Sequence, residues 1–514
     1  MGELHVMPAP DPVELAWYAT NDQGNAQRLK ARVLGLLRWV DMGADQGYWI
    51  AYKDGRWQTQ IGAREARLAA DDVAECLRLE ARALAQQIAE EKLGKDVPKE
   101  VAEEQLEILR KWANKSGNAV QSRGMLDKAR AVLAVSPDAF DSDPLAFNCR
   151  NGTVRFYQDA GAWRVRLDPH DPHDMITRQA DVDYDAEAPR PRWERRTENL
   201  QPEPDQREFM KRIYGYAMLG IRSAQVFIIA QGKGGDGKSL THAIFAAMLG
   251  DYYRRAGIKS FLKGAQKSGS DHSEDLARLA GDTRLVTASE PPRRSTWDTE
   301  IIKDMTGGDK IVVRGLRESS REIRPGWLLV VECNTYPAIE TADDGFRRRV
   351  EVLQWPVQVP KGSRGDFETI KAELLAERSG VLNWMIEGAL AWLESRDLMP
   401  SERAMAAKEA YVNAADPFGD WYRARCVTGR SDEFKTKVSD LHEDFARYCR
   451  DELDIDEDYV PKIRKFGAML EERQHRKRKI SVWYRLGIRL KTDAELAADC
   501  VPSGGGEVES MPGD

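Results

Sequence analysis

The stretch that most constrains this chain runs from an apolar segment through four glycines into a helical segment: FIIAQGKGGDGKSLTHAIF, residues 227–245. Gly232, Lys233, Gly234, Gly235, Asp236, Gly237, Lys238 and Ser239 match G-x-x-x-x-G-K-[ST] in full. In that pattern the glycines let successive backbone N–H groups turn toward phosphate oxygens. Lys238 brings a positive charge and Ser239 offers a hydroxyl to Mg²⁺. The helix that continues through Leu240 points the partial positive charge of its N-terminus at the same anion. A flexible glycine turn is the bland alternative. It does not account for the strand-like VFIIA before the loop and the helix-like SLTHAIFAAML after it. Residues 232–240 are therefore expected to bind ATP with Mg²⁺.

The other 500 or so residues must supply whatever the nucleotide drives. A length of 514 residues allows about two to four domains. Hydrophobic content is 42% and charged content 31%, which fits a globular protein with well-solvated surfaces. No apolar run approaches the roughly 18–20 residues that span a bilayer, and MGELHVMPAPDP lacks the layout of a secretory signal. The six cysteines are scattered without a CxxC pair. A reducing cytoplasm is the expected compartment, with no membrane partner. The net charge of −7 excludes a uniformly basic coat but not local basic surfaces.

Along the chain, GYWIAYKDGRWQ reads as a hairpin turning at Asp54-Gly55, and residues 62–136 carry helical periodicity. AFNCRNGTVRF returns to short strands around Asn151-Gly152, and DAEAPRPRWERR (185–196) looks like a linker. From about 205 to 355, apolar strand-like runs alternate with helices, which predicts an α/β layer with a mostly parallel sheet. Residues 370–412 read as helical, residues 416–492 as a small mixed segment, and the glycine-rich acidic tail as lacking fixed structure.

Hydrolysis needs a carboxylate near metal and water, a polar group that orients the water, and positive charge on the departing phosphate. RLVTASEPP ends a strand-like run at Glu290, the candidate general base and, with Ser239, the candidate metal-side group. Ser289 stands where many P-loop enzymes carry an aspartate before the glutamate, so that acid is absent; either Ser289 acts through a metal-bound water or Glu290 serves both roles. GWLLVVECNTYP ends at Asn334, a candidate for orienting water. DDGFRRRVEVLQW presents Arg347 and Arg348 as candidates for stabilising charge from a neighbouring subunit.

This order, with these spellings, resembles the superfamily 3 helicases, and more narrowly the phage and plasmid helicase-primase family that includes the poxvirus primase-helicase. NDQGNAQRL, NGTVRF, DMITRQADVDYDAEAPRPRWE, YGYAMLG, DLARLAGDTRLVTASE, IIKDMTGGDKIVVRGL and GFRRRVEV carry the resemblance over most of the chain. It implies a P-loop AAA+-like core over 200–395, an α+β collar-like domain over 14–190, a winged-helix-like domain over 410–495 and a disordered tail over 496–514. It implies a homo-hexameric ring that moves 3′ to 5′ on DNA in replication of a phage, plasmid or mobile element. Lys238, Ser239, Glu290 and Asn334 would act in cis, and Arg347 or Arg348 in trans. Lys303 and Asp309 match the block that links nucleotide to a DNA-gripping hairpin, KIVVRGLRESSREIRP, in which Arg314 and Arg317 are candidate DNA contacts. With the match starting at residue 21, primer synthesis by this chain is not expected, and a separate primase is a candidate partner.

Between Lys462 and Lys491 there are eleven Lys or Arg and two acids. Arg476, Lys477, Arg478 and Lys479 are expected to neutralise DNA phosphates from a basic ribbon. His170 and His173 read as a solvated loop rather than a metal site. Two competing readings remain: an ATP-switched initiator or loader that does not unwind, and a small-molecule P-loop kinase, against which the basic run counts.

Overall fold

The computed structural model describes residues 10–94, 97–264, 276–279, 281–292, 295–313, 321–339, 343–414, 416–430, 433–453, 460–479 and 482–499. It is mixed α/β. A four-stranded sheet (37–58 and 134–135) carries helices Thr59–Ala89 and Ala119–Val132, and helix Lys99–Ser116 packs on Thr59–Ala89. The hairpin expected at Asp54-Gly55 is present: both residues have positive φ, 52° and 77°, as a two-residue turn matched to strand twist requires. Helix Asp22–Arg32 is tied to Thr59–Ala89 by Arg28, which is fully buried and bonded to the equally buried Glu80 at 2.8 Å.

Residues 205–355 form the expected parallel layer. Its strand order is Val350–Trp355, Phe227–Gly232, Leu328–Cys333, Leu285–Ser289, Tyr253–Arg255, all parallel. Parallel pairing buries both faces, and the sequence pattern follows: the first four residues of 227–232 and all of 328–333 are buried. One apolar core joins this sheet to helices Pro204–Met218 and Arg378–Ser395, and also to Phe147, Val154 and Phe156 of the antiparallel strands 146–168.

The stretch 185–196 is not a linker. Pro191 opens helix Pro191–Leu200, where its missing N–H costs nothing, and Trp193 is fully buried against Phe245 and Trp384. Past residue 415, helices Pro417–Arg425, Val438–Asp451 and Ile463–Glu472 enclose an aromatic core of Phe418, Trp421, Phe445 and Phe466. Helix Ile463–Glu472 is followed by the antiparallel strands Lys477–Lys479 and Trp483–Leu486. Helix Asp493–Asp499 enters the tail expected from 496 onward to lack structure, because Thr492 and Glu495 form a reciprocal cap, with the Thr492 N–H donating to Glu495 at 2.8 Å. Residues 500–514 lie outside the described residues. Among the described residues no helix is long and apolar enough to cross a membrane.

Candidate active site at the carboxyl edge of the parallel sheet

The glycine loop leaves strand Phe227–Gly232 and enters helix Lys238–Leu249. Gly234, Gly235 and Gly237 have φ of 85°, 66° and 87°, values that side chains with a Cβ rarely adopt. A Cβ on Gly232 would meet Asp236 Oδ2 at 2.1 Å and Lys238 Nζ at 2.8 Å. Lys238 and Asp236 are both buried and form an ion pair. Asp236 also accepts from Gly234 N at 3.1 Å and Lys238 N at 3.3 Å, so one carboxylate takes up two loop amides and the lysine. Lys233 and Ser239 are exposed and Leu240 is buried.

Because the strands are parallel, their carboxyl ends share one edge, where open α/β sheets hold their ligands. Asn334, just past strand Leu328–Cys333, brings its side-chain amide to the loop: a Cβ on Gly234 would lie 4.0 Å from it. Glu290 is exposed at the end of Leu285–Ser289, with φ 55° and its N–H donated to Glu332 O at 2.9 Å. Its strand is not the immediate neighbour of the loop strand: Leu328–Cys333 intervenes. The right neighbour could not be read from sequence, because crossovers place strands out of chain order.

The intervening strand contributes a residue that sequence reading passed over. Glu332, 8% exposed, accepts from Ser239 Oγ at 2.9 Å and bonds His242 Nδ1 at 2.7 Å. His242 Nε2 in turn meets Tyr214 OH at 2.6 Å. Burial acts to raise the Glu332 carboxyl, but His242, Ser239 and the Arg255 charge outweigh it and hold it below the usual glutamate range. Burial, then the Glu332 charge, pushes Tyr214 well up. The signal available was an acid inside the otherwise apolar run LLVVEC. Two arginines were also passed over. Arg364, from the segment whose Val359 N–H donates to Gly235 O at 2.9 Å, lies against Gly235, and Arg196 lies against Gly237. Burial lowers the Arg196 guanidinium, whose Nε has no hydrogen-bond partner among the described residues.

The remaining expected residues are elsewhere. Val350 pairs with Phe227 and Trp355 with Gly232, so Arg347 and Arg348 precede their strand at the edge opposite the loop. Arg347 bonds Asp416 at 3.3 Å and Arg348 is exposed. Lys303 pairs with Asp343, which caps the short helix Asp344–Arg347. The arms of the expected hairpin are present as Ile311–Val313 antiparallel to Arg321–Ile323; Arg314 and Arg317 lie outside the described residues. Arg476, Lys477, Arg478 and Lys479 are all exposed on or beside the C-terminal ribbon, Lys477 pairing with Glu471 at 3.1 Å and Lys479 lying over Trp483. His170 Nε2 contacts the Cys149 carbonyl at 2.9 Å, and His173 contacts Asp171.

Residues 26–202 match the family described as D5 N terminal like. The chain is 30% identical over 154 residues to "Putative helicase L207/L206" of Acanthamoeba polyphaga mimivirus, covering 30% of this chain and 16% of that protein. It is 26% identical over 231 residues to "Putative helicase 022R" of Frog virus 3, covering 42% of this chain and 24% of that protein. It thus spans a quarter or less of those relatives. Among solved structures, the apo NrS-1 C terminal region aligns with a TM-score of 0.41 at 12% identity, covering 68% of this chain and 84% of that one.

Proposed function

We propose that this chain is an ATP-driven DNA helicase of superfamily 3 type, with a P-loop AAA+-like core and a winged-helix-like C-terminal domain. The observation that carries the reading is the convergence of Lys238, Ser239, Asn334 and Glu290 on the carboxyl edge of one parallel sheet. The helicase names of the viral relatives supply the direction. Lys238 would exchange Asp236 for the nucleotide's phosphates, Asn334 would orient the attacking water and Glu290 would accept its proton. The donor set at Ser239, a hydroxyl bonded to the Glu332 carboxylate, suits Mg²⁺, which takes one or two carboxylates beside substrate phosphates. The metal, when bound, neutralises charge on the phosphate oxygens.

The distance of Arg347 and Arg348 from their own loop favours a ring in which an arginine completes a neighbour's site, for which a homo-hexamer is the proposed form. DNA would be gripped by the hairpin 310–325 and by the basic ribbon, in replication of a phage, plasmid or mobile element within a bacterial cytoplasm, beside a separate primase. The test is strand displacement on forked DNA with ATP and Mg²⁺, wild type against Lys238→Ala. Displacement that vanishes in the variant supports the motor. ATPase stimulated by DNA without displacement replaces it with the initiator or loader reading.

A further inference from the structure

The strand that carries Glu290 lacks a metal-side acid: Ser289 occupies the preceding position, and its hydroxyl is taken by Arg255 at 2.5 Å. The adjacent strand places a carboxylate in register with that serine, Ser289 pairing with Glu332. We infer that Glu332 supplies the metal-side carboxylate, so that the acid pair of this site is split across two strands. The inference rests on the ATPase reading above.

Three observations carry it. Ser239, the loop residue whose hydroxyl faces the metal in this loop type, donates that hydroxyl to Glu332 Oε2 at 2.9 Å. The other oxygen, Oε1, is held by His242 at 2.7 Å, and His242 by Tyr214 at 2.6 Å, which fixes the carboxylate's orientation as supporting hydrogen bonds do around metal ligands. Finally, an ionised acid inside a parallel strand is costly to bury, and an apolar side chain would pack helix Lys238–Leu249 on the sheet as well. A role in packing alone does not account for a carboxylate aimed at the one loop hydroxyl. Ser239 and Glu332 make no metal cluster by themselves; Mg²⁺ in such sites draws its other ligands from phosphate and water.

The experiment titrates Mg²⁺ into the full chain with a fluorescent, slowly hydrolysed ATP analogue, and compares affinity with Mg²⁺ against affinity in EDTA. Wild type is expected to bind more tightly with Mg²⁺. In Glu332→Gln that gain disappears or its Mg²⁺ half-saturation rises by at least about 10–100-fold, the loss typical when even a supporting partner of a metal ligand is removed. Ser289→Asp added to Glu332→Gln returns a carboxylate to the paired position and is expected to restore the Mg²⁺ response. Glu332→Asp, a gentler change, keeps the response at higher Mg²⁺. A Glu332→Gln protein with the wild-type Mg²⁺ response overturns the inference and leaves the ATPase reading standing. An equal loss of affinity with and without Mg²⁺ also overturns it, marking Glu332 as a packing group. A wild type that binds no nucleotide overturns both.

Discussion

The glycine-loop edge and the C-terminal ribbon hold their charges in opposite ways. At the loop, Lys238, Asp236, His242 and Glu332 are buried and pair with one another at short range. On the ribbon, Arg476 to Lys479 stand exposed over an aromatic core, with Trp483 49% exposed beside them. Buried pairs are weakly screened, so they act through geometry and each is costly to break. Exposed cations act through number and are screened by salt. Under the proposed function, the first region would recognise a single small anion and the second would follow a polyanion of any sequence.

Removing the loop's lysine is the strongest way to probe the contrast. Lys238→Ala is expected to lower ATP turnover by about 10²–10³-fold or more, as loss of one preorganised charge donor does, and to leave DNA affinity measured without nucleotide little changed. Next in size is the ribbon. Replacing Lys477, Arg478 and Lys479 together by alanine should reduce the slope of log affinity against log salt by about 2–3, at about 0.7–0.9 per phosphate contact. DNA titrations by fluorescence anisotropy at several salt concentrations check this; an unchanged slope would remove the ribbon from the DNA surface. A smaller effect, of opposite sign, is expected at Asp236. Its carboxylate occupies the amides and the lysine that a phosphate would use, so Asp236→Asn should tighten nucleotide binding by about tenfold, the order of one charge-assisted hydrogen bond.

The smallest effect concerns a carboxyl on which burial outweighs its neighbouring cation. Desolvation, then Asp282, raises Asp141 from 3.8 to about 6, against hydrogen bonds from Thr177 and the Arg178 charge. Asp141 lines the open cavity of about 1250 Å³ at the other end of the parallel sheet. A raised folded-state pKa means that the folded protein binds the extra proton between about 4 and 6, so this stabilising contribution is complete below 3.8 and is lost as pH rises through about 6. Thermal melting between pH 5 and 7 should show a slightly falling midpoint in wild type and a flatter profile in Asp141→Asn.

Much of the fold was legible because its signals are local. The turn at Asp54-Gly55 and the alternation across 205–355 depend on residues within a few positions of each other, whereas the arms around 311–323 were expected from the family resemblance. The misreading of 185–196 shows the limit: a proline-rich stretch reads as a break, yet Pro191 begins a helix whose Trp193 is held by Phe245 and Trp384 from far along the chain. Of the candidate site, Lys238, Ser239 and Asn334 were legible and meet at the loop. Glu332 was not, since an acid in an apolar run carries no label until its neighbours are known.

The sequence by itself determined the strand–loop–helix unit at 227–249, because glycines that tolerate positive φ and a lysine at a set spacing leave the backbone few other conformations. It also determined a basic ribbon around Arg476, Lys477, Arg478 and Lys479. Only the tertiary structure decided that Leu328–Cys333 lies between the loop strand and the strand of Glu290, and that Ser239 therefore meets Glu332 rather than position 289. The physical reason is that strand order in a parallel sheet is set by how each crossover helix packs on the layer, an outcome of the whole core rather than of any one segment.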